Sequence, residues 1–304
     1  MRKGYVLIIS LMILSIFLTG CMGGGTKAQD TPTSYVPTGT QGLVLSFLPD
    51  QPPAKIYTGA PLVLLAEVRN KGYADITTAE LSLTGYDPGV LDIKGANSRI
   101  SVLEGTSYYN KEGDFTTFEF IDDRVSLQKG VPMYMPNFLL TACYAYETVA
   151  SPIVCVDPEP HNTLIDKSCT VGSINTGGSQ GAPIAITAIN AQATPTQMVF
   201  EITISNSGGG QVYESSFVNK CTSNTLSYSD LGKVNYDAIT LGNSKQPLDC
   251  KPKNVVRLVN GNGKLYCTYP QQGGTAYETP LNMHLTYGYR TSITKKVEIQ
   301  NLEE

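Results

Sequence analysis

Residues 144–156 read YAYETVASPIVCV, and residues 287–299 read YGYRTSITKKVEI. They align without a gap: Tyr, Tyr and Thr hold the first, third and fifth places of each, and a β-branched alternating run closes each. A second pair of runs matches in the same way. Leu62–Val68 (LVLLAEV) and Met198–Ile204 (MVFEITI) put apolar residues on one parity, and each leads into Asn-x-Gly, at Asn70–Gly72 and Asn206–Gly208. The offset is 143 residues at the first pair and 136 at the second. Similar offsets at two separated places imply an internal duplication, so the order of strands repeats.

Strict alternation with a turn signal behind it is the pattern of a half-buried strand running into a loop. The expectation at both turns is that Gly72 and Gly208 supply a positive φ while the Asn side chain bonds the turning backbone. Helical periodicity is hard to find after residue 41. Six to eight short strands over about 115 residues have the size and rhythm of an immunoglobulin-like sandwich. The fold class read from the sequence is therefore all-β, with two tandem Ig-like β-sandwiches over 42–158 and 183–304. A Gly-rich linker is expected over 159–182.

The N-terminus sets the compartment. Arg2 and Lys3 precede an uncharged run, Val6–Leu18, which is shorter than the roughly 20 residues needed to cross a bilayer. It suits the apolar region of a secretory signal peptide. Leu18-Thr19-Gly20-Cys21 looks like the lipobox of exported lipoproteins. That resemblance implies a signal peptide over 1–20 and a thioether-linked lipid on Cys21. Residues 21–41, rich in Gly, Thr, Pro and Gln, then read as a flexible tether with a mean reach of about 25 Å. The expected location is the extracytoplasmic face of the cell membrane, with membrane lipid as a partner through Cys21.

Losing Arg2 and Lys3 with the signal leaves 20 basic against 26 acidic residues, a net charge of −6. That balance argues against nucleic acid or an anionic membrane surface as partner, since both require basic patches.

Leu65–Asp75 (LAEVRNKGYAD), followed by 77–83 (TTAELSL), resembles the CARDB domain, a cell-adhesion-related sandwich of bacterial and archaeal surface proteins. The likeness covers about 40 residues of the first copy and the Asn-x-Gly strand of the second. The chain departs from CARDB in its last hairpin, where Tyr-x-Tyr-x-Thr and cysteines stand. The whole arrangement, including YETPL at 277–281, is similar to uncharacterised archaeal surface lipoproteins. These resemblances imply a fold and a place, and no chemistry.

With Cys21 taken by lipid, Cys143, Cys155, Cys169, Cys221, Cys250 and Cys267 remain. An even number outside the cell favours disulfides, and no CxxC spacing suggests metal. A hairpin turning about Val149 would set Cys143 opposite Cys155 on the solvent face; the rival bond joins Cys155 to Cys169. Cys250 and Cys267 flank VVRLV–NGNG–KLY, a strong hairpin signal, and are expected to pair. Cys169 with Cys221 follows by elimination.

No residue set makes a convincing active site. Gly177–Gly181 (GGSQG) satisfies the nucleophile-elbow pattern around Ser179, but a strand follows where the elbow needs a helix. His284, the His downstream of it, has solvent-facing parity. Asp157-Pro-Glu-Pro-His161 could hold a divalent ion, although a stiff exit from a sandwich explains it as well. Asp122-Asp123 matches no calcium-loop spacing. No catalytic residue, metal site or cofactor is expected. Eighteen Tyr and no Trp leave tyrosine as the adhesive residue type, with Tyr108, Tyr109 and Tyr134 the surface candidates. The reading is a non-enzymatic, lipid-anchored binding, adhesion or envelope-structural module that meets protein or glycan. The alternative is the ectodomain subunit of a membrane-associated export, pilus or transport complex.

Overall fold

Alternation in the sequence becomes strand throughout the computed structural model, which describes residues 35–270 and 273–302. The signal peptide expected over 1–20, Cys21 and most of the 21–41 tether lie outside the described residues. From Val36 onward the chain forms one compact unit. The first copy contributes a sheet ordered β1 (Leu43–Phe47), β3 (Leu62–Asn70), β6 (Phe115–Asp122). The second contributes one ordered β10 (Ser173–Asn175), β11 (Ile184–Ala193), β12 (Gln197–Asn206), β18 (Asn262–Pro270), β16 (Asp249–Lys251). A small sheet joins β2 (Lys55–Tyr57), β20 (Glu298–Gln300) and β7 (Met133–Tyr134).

The largest sheet belongs to both copies. Its order is β17 (Val255–Arg257), β14 (Lys233–Tyr236), β19 (Tyr277–Lys296), β8 (Asn137–Ala150), β4 (Ala79–Thr84), β5 (Asn97–Ile100). Three more strands, β9 (Ile153–Val156), β13 (Gln211–Tyr213) and β15 (Thr240–Leu241), also pair with β19. The β8–β19 ladder runs antiparallel from Asn137↔Lys296 to Ala150↔Met283. The two halves are thus joined edge to edge through hydrogen-bonded backbone. The 159–182 segment, expected as a linker, carries β10 and one end of a disulfide.

On this ladder Tyr144 faces Tyr289 and Tyr146 faces Tyr287. The four rings form a closed set, with centroids 5.7–6.3 Å apart around it, mostly edge-on or tilted. Edge-to-face contacts of this kind contribute about 0.5–1.5 kcal/mol each beyond area burial. All four rings are buried, and burial pushes each hydroxyl pKa up despite the bonds it makes. The hydroxyls therefore stay protonated and available as donors.

Each hydroxyl ties its own copy's covering sheet to the ladder, and the ties repeat. Leu43 N–H, at the start of β1, donates to the Tyr144 hydroxyl at 3.0 Å; Ile184 N–H, at the start of β11, donates to that of Tyr287 at 3.4 Å. The Tyr146 hydroxyl donates to Asn70 Oδ1 at 3.3 Å, and the Tyr289 hydroxyl to Asn206 Oδ1 at 2.8 Å. Each Asn oxygen also accepts from its turn glycine, Gly72 or Gly208, at 3.2 Å. Asn70 Nδ2 donates to Ala74 O at 2.8 Å, and Asn206 Nδ2 to Gly210 O at 2.7 Å. An Asn side chain can accept and donate at once, so it closes both strands; Asn70 does so fully buried and Asn206 partly buried.

The glycines of those turns do a different job from the one expected. Neither Gly72 nor Gly208 has a positive φ. Close approach is what excludes a side chain. A Cβ on Gly72 would fall 1.9 Å from the Tyr146 hydroxyl oxygen, and one on Gly208 2.7 Å from that of Tyr289.

The expected hairpin about Val149 does not form. After Ser151-Pro152 the chain continues in the same direction as β9, which pairs with β19 at Tyr277–Pro280 just beyond β8's own partners. Cys143 and Cys155 therefore lie along one line and cannot meet. The bonds are Cys143–Cys221, Cys155–Cys169 and Cys250–Cys267. Cys155 takes the rival partner, and the expected Cys169–Cys221 bond falls with the first. Cys250–Cys267 stands as expected, because β16 and β18 set the two residues directly opposite each other.

Cys143 is on the face of β8 away from the tyrosines, as its parity requires, but it is fully buried. An insertion in the second copy covers it. β13 and β14 follow each other along one edge of β19, and the residues between them loop out over the sheet with helix α1 (Val218–Thr222). Cys221 on α1 bonds Cys143, and Val218 and the Tyr213 ring bury alongside. Tyr213 lies across Gly288, where a Cβ would fall 2.3 Å from the ring, and its hydroxyl donates to Tyr144 O at 3.3 Å. A glycine in mid-strand is covered by the ring of its cross-strand neighbour.

Candidate functional site

Tyr108 and Tyr109 hold the two central positions of a reverse turn between β5 and β6. Ser107 N–H donates to Asn110 O at 2.8 Å, and Asn110 N–H to Ser107 Oγ at 3.1 Å. The two rings meet edge to face, 5.3 Å apart at 88°. Tyr109 is 89% exposed, and Tyr108 about half as much.

The root of this loop is tied to the Asn-x-Gly turn. Thr106 N–H donates to Gly72 O at 2.7 Å, Gly105 N–H to Asp75 Oδ1 at 2.8 Å, and Asn70 Nδ2 to Leu103 O at 3.1 Å. A rigid base thus presents two exposed rings. The same turn is tied to the first described residues of the chain. Tyr73 N–H donates to Gly181 O at 2.7 Å, and Gly181 N–H to Gly39 O at 2.9 Å. Nearby, the Arg69 guanidinium stacks 4.3 Å from the Phe115 ring and bonds Glu67 at 2.9 Å.

Tyr134 does not join this pair. It sits on β7, in the sheet with β2 and β20, and its hydroxyl accepts from Asp87 N–H at 2.8 Å. Met133 and Met135 beside it are exposed.

The polar candidates are engaged within the fold. Lys167 Nζ donates to Asp157 Oδ2 at 2.6 Å, Glu159 O at 3.0 Å and Pro160 O at 3.2 Å. An ammonium thus occupies the carboxylate and carbonyl cluster that the Asp157–His161 segment offered to an ion, while His161 stays exposed. Asp122 accepts from Asp92 N–H at 2.9 Å and Arg124 N–H at 3.0 Å, and Asp123 pairs with Lys94. Ser179 Oγ accepts from Gly39 N–H at 2.7 Å, and β11 follows it rather than a helix. Among the described residues no group of three or more His, Cys, Asp or Glu is placed to hold a metal.

His284 has both ring nitrogens engaged, at 2.6 Å from Asp237 Oδ2 and 3.0 Å from Glu147 Oε2. Partial burial opposes its charge, but the hydrogen bonds to the two carboxylates outweigh that and raise its pKa. Its outward parity was legible in the sequence. Its partners were not, since Glu147 becomes a near neighbour only once β8 pairs with β19.

No family model matches the chain, and no curated relative matches it. Among solved structures, the crystal structure of the CupB6 tip adhesin from Pseudomonas aeruginosa aligns at 11% identity and a TM-score of 0.18. That alignment covers 88% of this chain and 98% of that one. A similarity at this level carries no argument about fold or function.

Proposed function

We propose that this chain is a non-enzymatic, lipid-anchored surface protein that binds or braces partners in the cell envelope. It is built as two Ig-like sandwiches fused through one sheet. The observation that carries the reading is the division of labour among its side chains. Asp122, Asp157, Lys167 and Ser179 are bonded within the fold, whereas Tyr108 and Tyr109 stand outside on a tied-down loop as contact surface for an envelope component, lipid included. Three disulfides belong to an oxidising, extracytoplasmic compartment, and among the described residues no helix is long and apolar enough to cross a membrane. The Cys21 lipobox supplies the attachment.

Two experiments test the proposal. Cys21→Ser releases the protein from membranes; equal retention of the variant refutes the anchor. Cross-linking on intact cells then identifies neighbours. Scattered envelope proteins or glycans support adhesion or bracing, and one recurrent membrane partner assigns the chain to a complex instead.

A further inference from the structure

We infer that the face carrying the Tyr108–Tyr109 turn lies against the lipid bilayer, with Val36, Tyr73, Tyr108 and Tyr109 in its headgroup zone; this rests on the reading of Cys21 as lipidated. Four exposed apolar side chains lie where the chain joins the folded unit. Val36 is 71% exposed at that point, and Tyr73, Tyr108 and Tyr109 are the exposed aromatics of the turns bonded to it. The continuity is in the backbone: Gly39 to Gly181, Gly181 to Tyr73, and Gly72 to Thr106 at the root of the Tyr108–Tyr109 loop. Beside them Val36, Pro37, Ala150, Pro152 and Ile174 line an open groove of about 350 Å³.

Chain length selects lipid as the occupant. Fourteen residues, 22–35, separate Cys21 from Val36. A chain of that length spans at most about 50 Å even when fully extended, so the surface around Val36 is the part of the unit held nearest the lipid. Tyrosine is enriched at that depth, because its ring suits the acyl boundary while its hydroxyl stays among the headgroups. The local cations Lys71 and Arg69 are already engaged, with Glu112 and Glu67, and Asp75, Glu104 and Asp114 flank the same turns, so the surface offers no basic patch. The contact is therefore made by apolar insertion and does not require anionic lipid. The lipid on Cys21 supplies the affinity, and the collar sets the orientation. The opposite face of the central sheet, with α1, is left to partners.

The chain has no Trp, so a single introduced Trp reports without background. Tyr109→Trp is made in the full-length protein purified from membranes. Tyr228→Trp serves as the reference; Tyr228 is 79% exposed on the insertion that covers the other face, where the Arg257 guanidinium stacks on it. Both are reconstituted on phosphatidylcholine vesicles brominated near the ester end of the acyl chains. The expected result is that both variants float with the vesicles, position 109 loses most of its emission, and position 228 loses none. Added phosphatidylglycerol leaves this unchanged. Flotation without quenching at position 109 overturns the collar and leaves the anchor standing. If the unquenched emission of the Tyr109→Trp variant is also blue-shifted, the occupant is protein or a second copy. Equal quenching at both positions also overturns the collar. Failure to float overturns the anchor and the collar together.

Discussion

Ala145 stands opposite Gly288 on the β8–β19 ladder, and each is the other's counterpart in the repeated sequence. A pair that maps onto itself when the copies are exchanged marks a local two-fold axis, as in an isologous contact between identical subunits. The flanking pairs obey the same rule: Tyr144↔Tyr289 exchanges with Tyr287↔Tyr146. The duplication thus arranged itself as a dimer arranges itself, within one chain.

The pair is not equivalent in its surroundings, and that difference is measurable. Gly288→Ala drives a Cβ into the Tyr213 ring and is expected to cost about 1–3 kcal/mol. Ala145→Gly adds backbone freedom and removes a methyl packed beside Tyr213, without any clash, and is expected to cost about 0.5–1 kcal/mol. Urea midpoints compare the two, and equal losses would refute the close contact.

Among the four tyrosines, removal of a hydroxyl leaves a backbone group without its partner. Tyr144→Phe leaves the buried Leu43 N–H without its acceptor and is expected to cost about 1–3 kcal/mol. Tyr146→Phe leaves Asn70 Oδ1 still accepting from Gly72 but removes the bond between the hydroxyl and the Ala74 backbone, so about 1–3 kcal/mol is expected there too. Thermal unfolding should give losses of similar size, and a Tyr146→Phe variant as stable as the wild type would refute the tie.

The disulfides differ in the length of chain they close. Cys143–Cys221 spans 78 residues and Cys155–Cys169 spans 14. By loop-closure entropy the longer bond stabilises by about 1.5 kcal/mol more. Denaturant midpoints of the two double Cys→Ala variants test this. Peptide mapping of the unreduced protein should recover a Cys155–Cys169 linked peptide and no Cys143–Cys155 one.

Protonation of His284 should stabilise the fold through Asp237 and Glu147. Its folded pKa is raised, so the contribution is fully present below the unfolded imidazole value of about 6.5 and is lost as pH rises through the folded value. Stability should therefore decline across that interval in the wild type and lose this component in His284→Gln. Parallel pH profiles for the two proteins would refute the assignment.

Alternation along Leu62–Val68 and Met198–Ile204 was enough to identify β3 and β12, because strand geometry puts every second side chain on one face whatever the partner. Similar offsets at two places pointed to a duplication, and the repeated tyrosine and asparagine ties agree with it. Cys250 and Cys267 were matched on a local hairpin signal and do pair, but through β16 and β18, because the intervening β17 crosses to β14. What the sequence left open was every choice of distant partner. YAYETVASPIVCV reads as a hairpin until β19, more than 120 residues later, pairs with both of its halves and holds them in line. Cys143 reads as exposed until an insertion from the other copy folds over it. Gly72 and Gly208 read as turn glycines, yet it is the arriving tyrosine hydroxyls, joined at Gly208 by Pro183, that exclude a side chain there. Local backbone geometry has a period that a sequence displays, whereas contacts between distant segments depend on which surfaces remain unpaired once the sheets have formed.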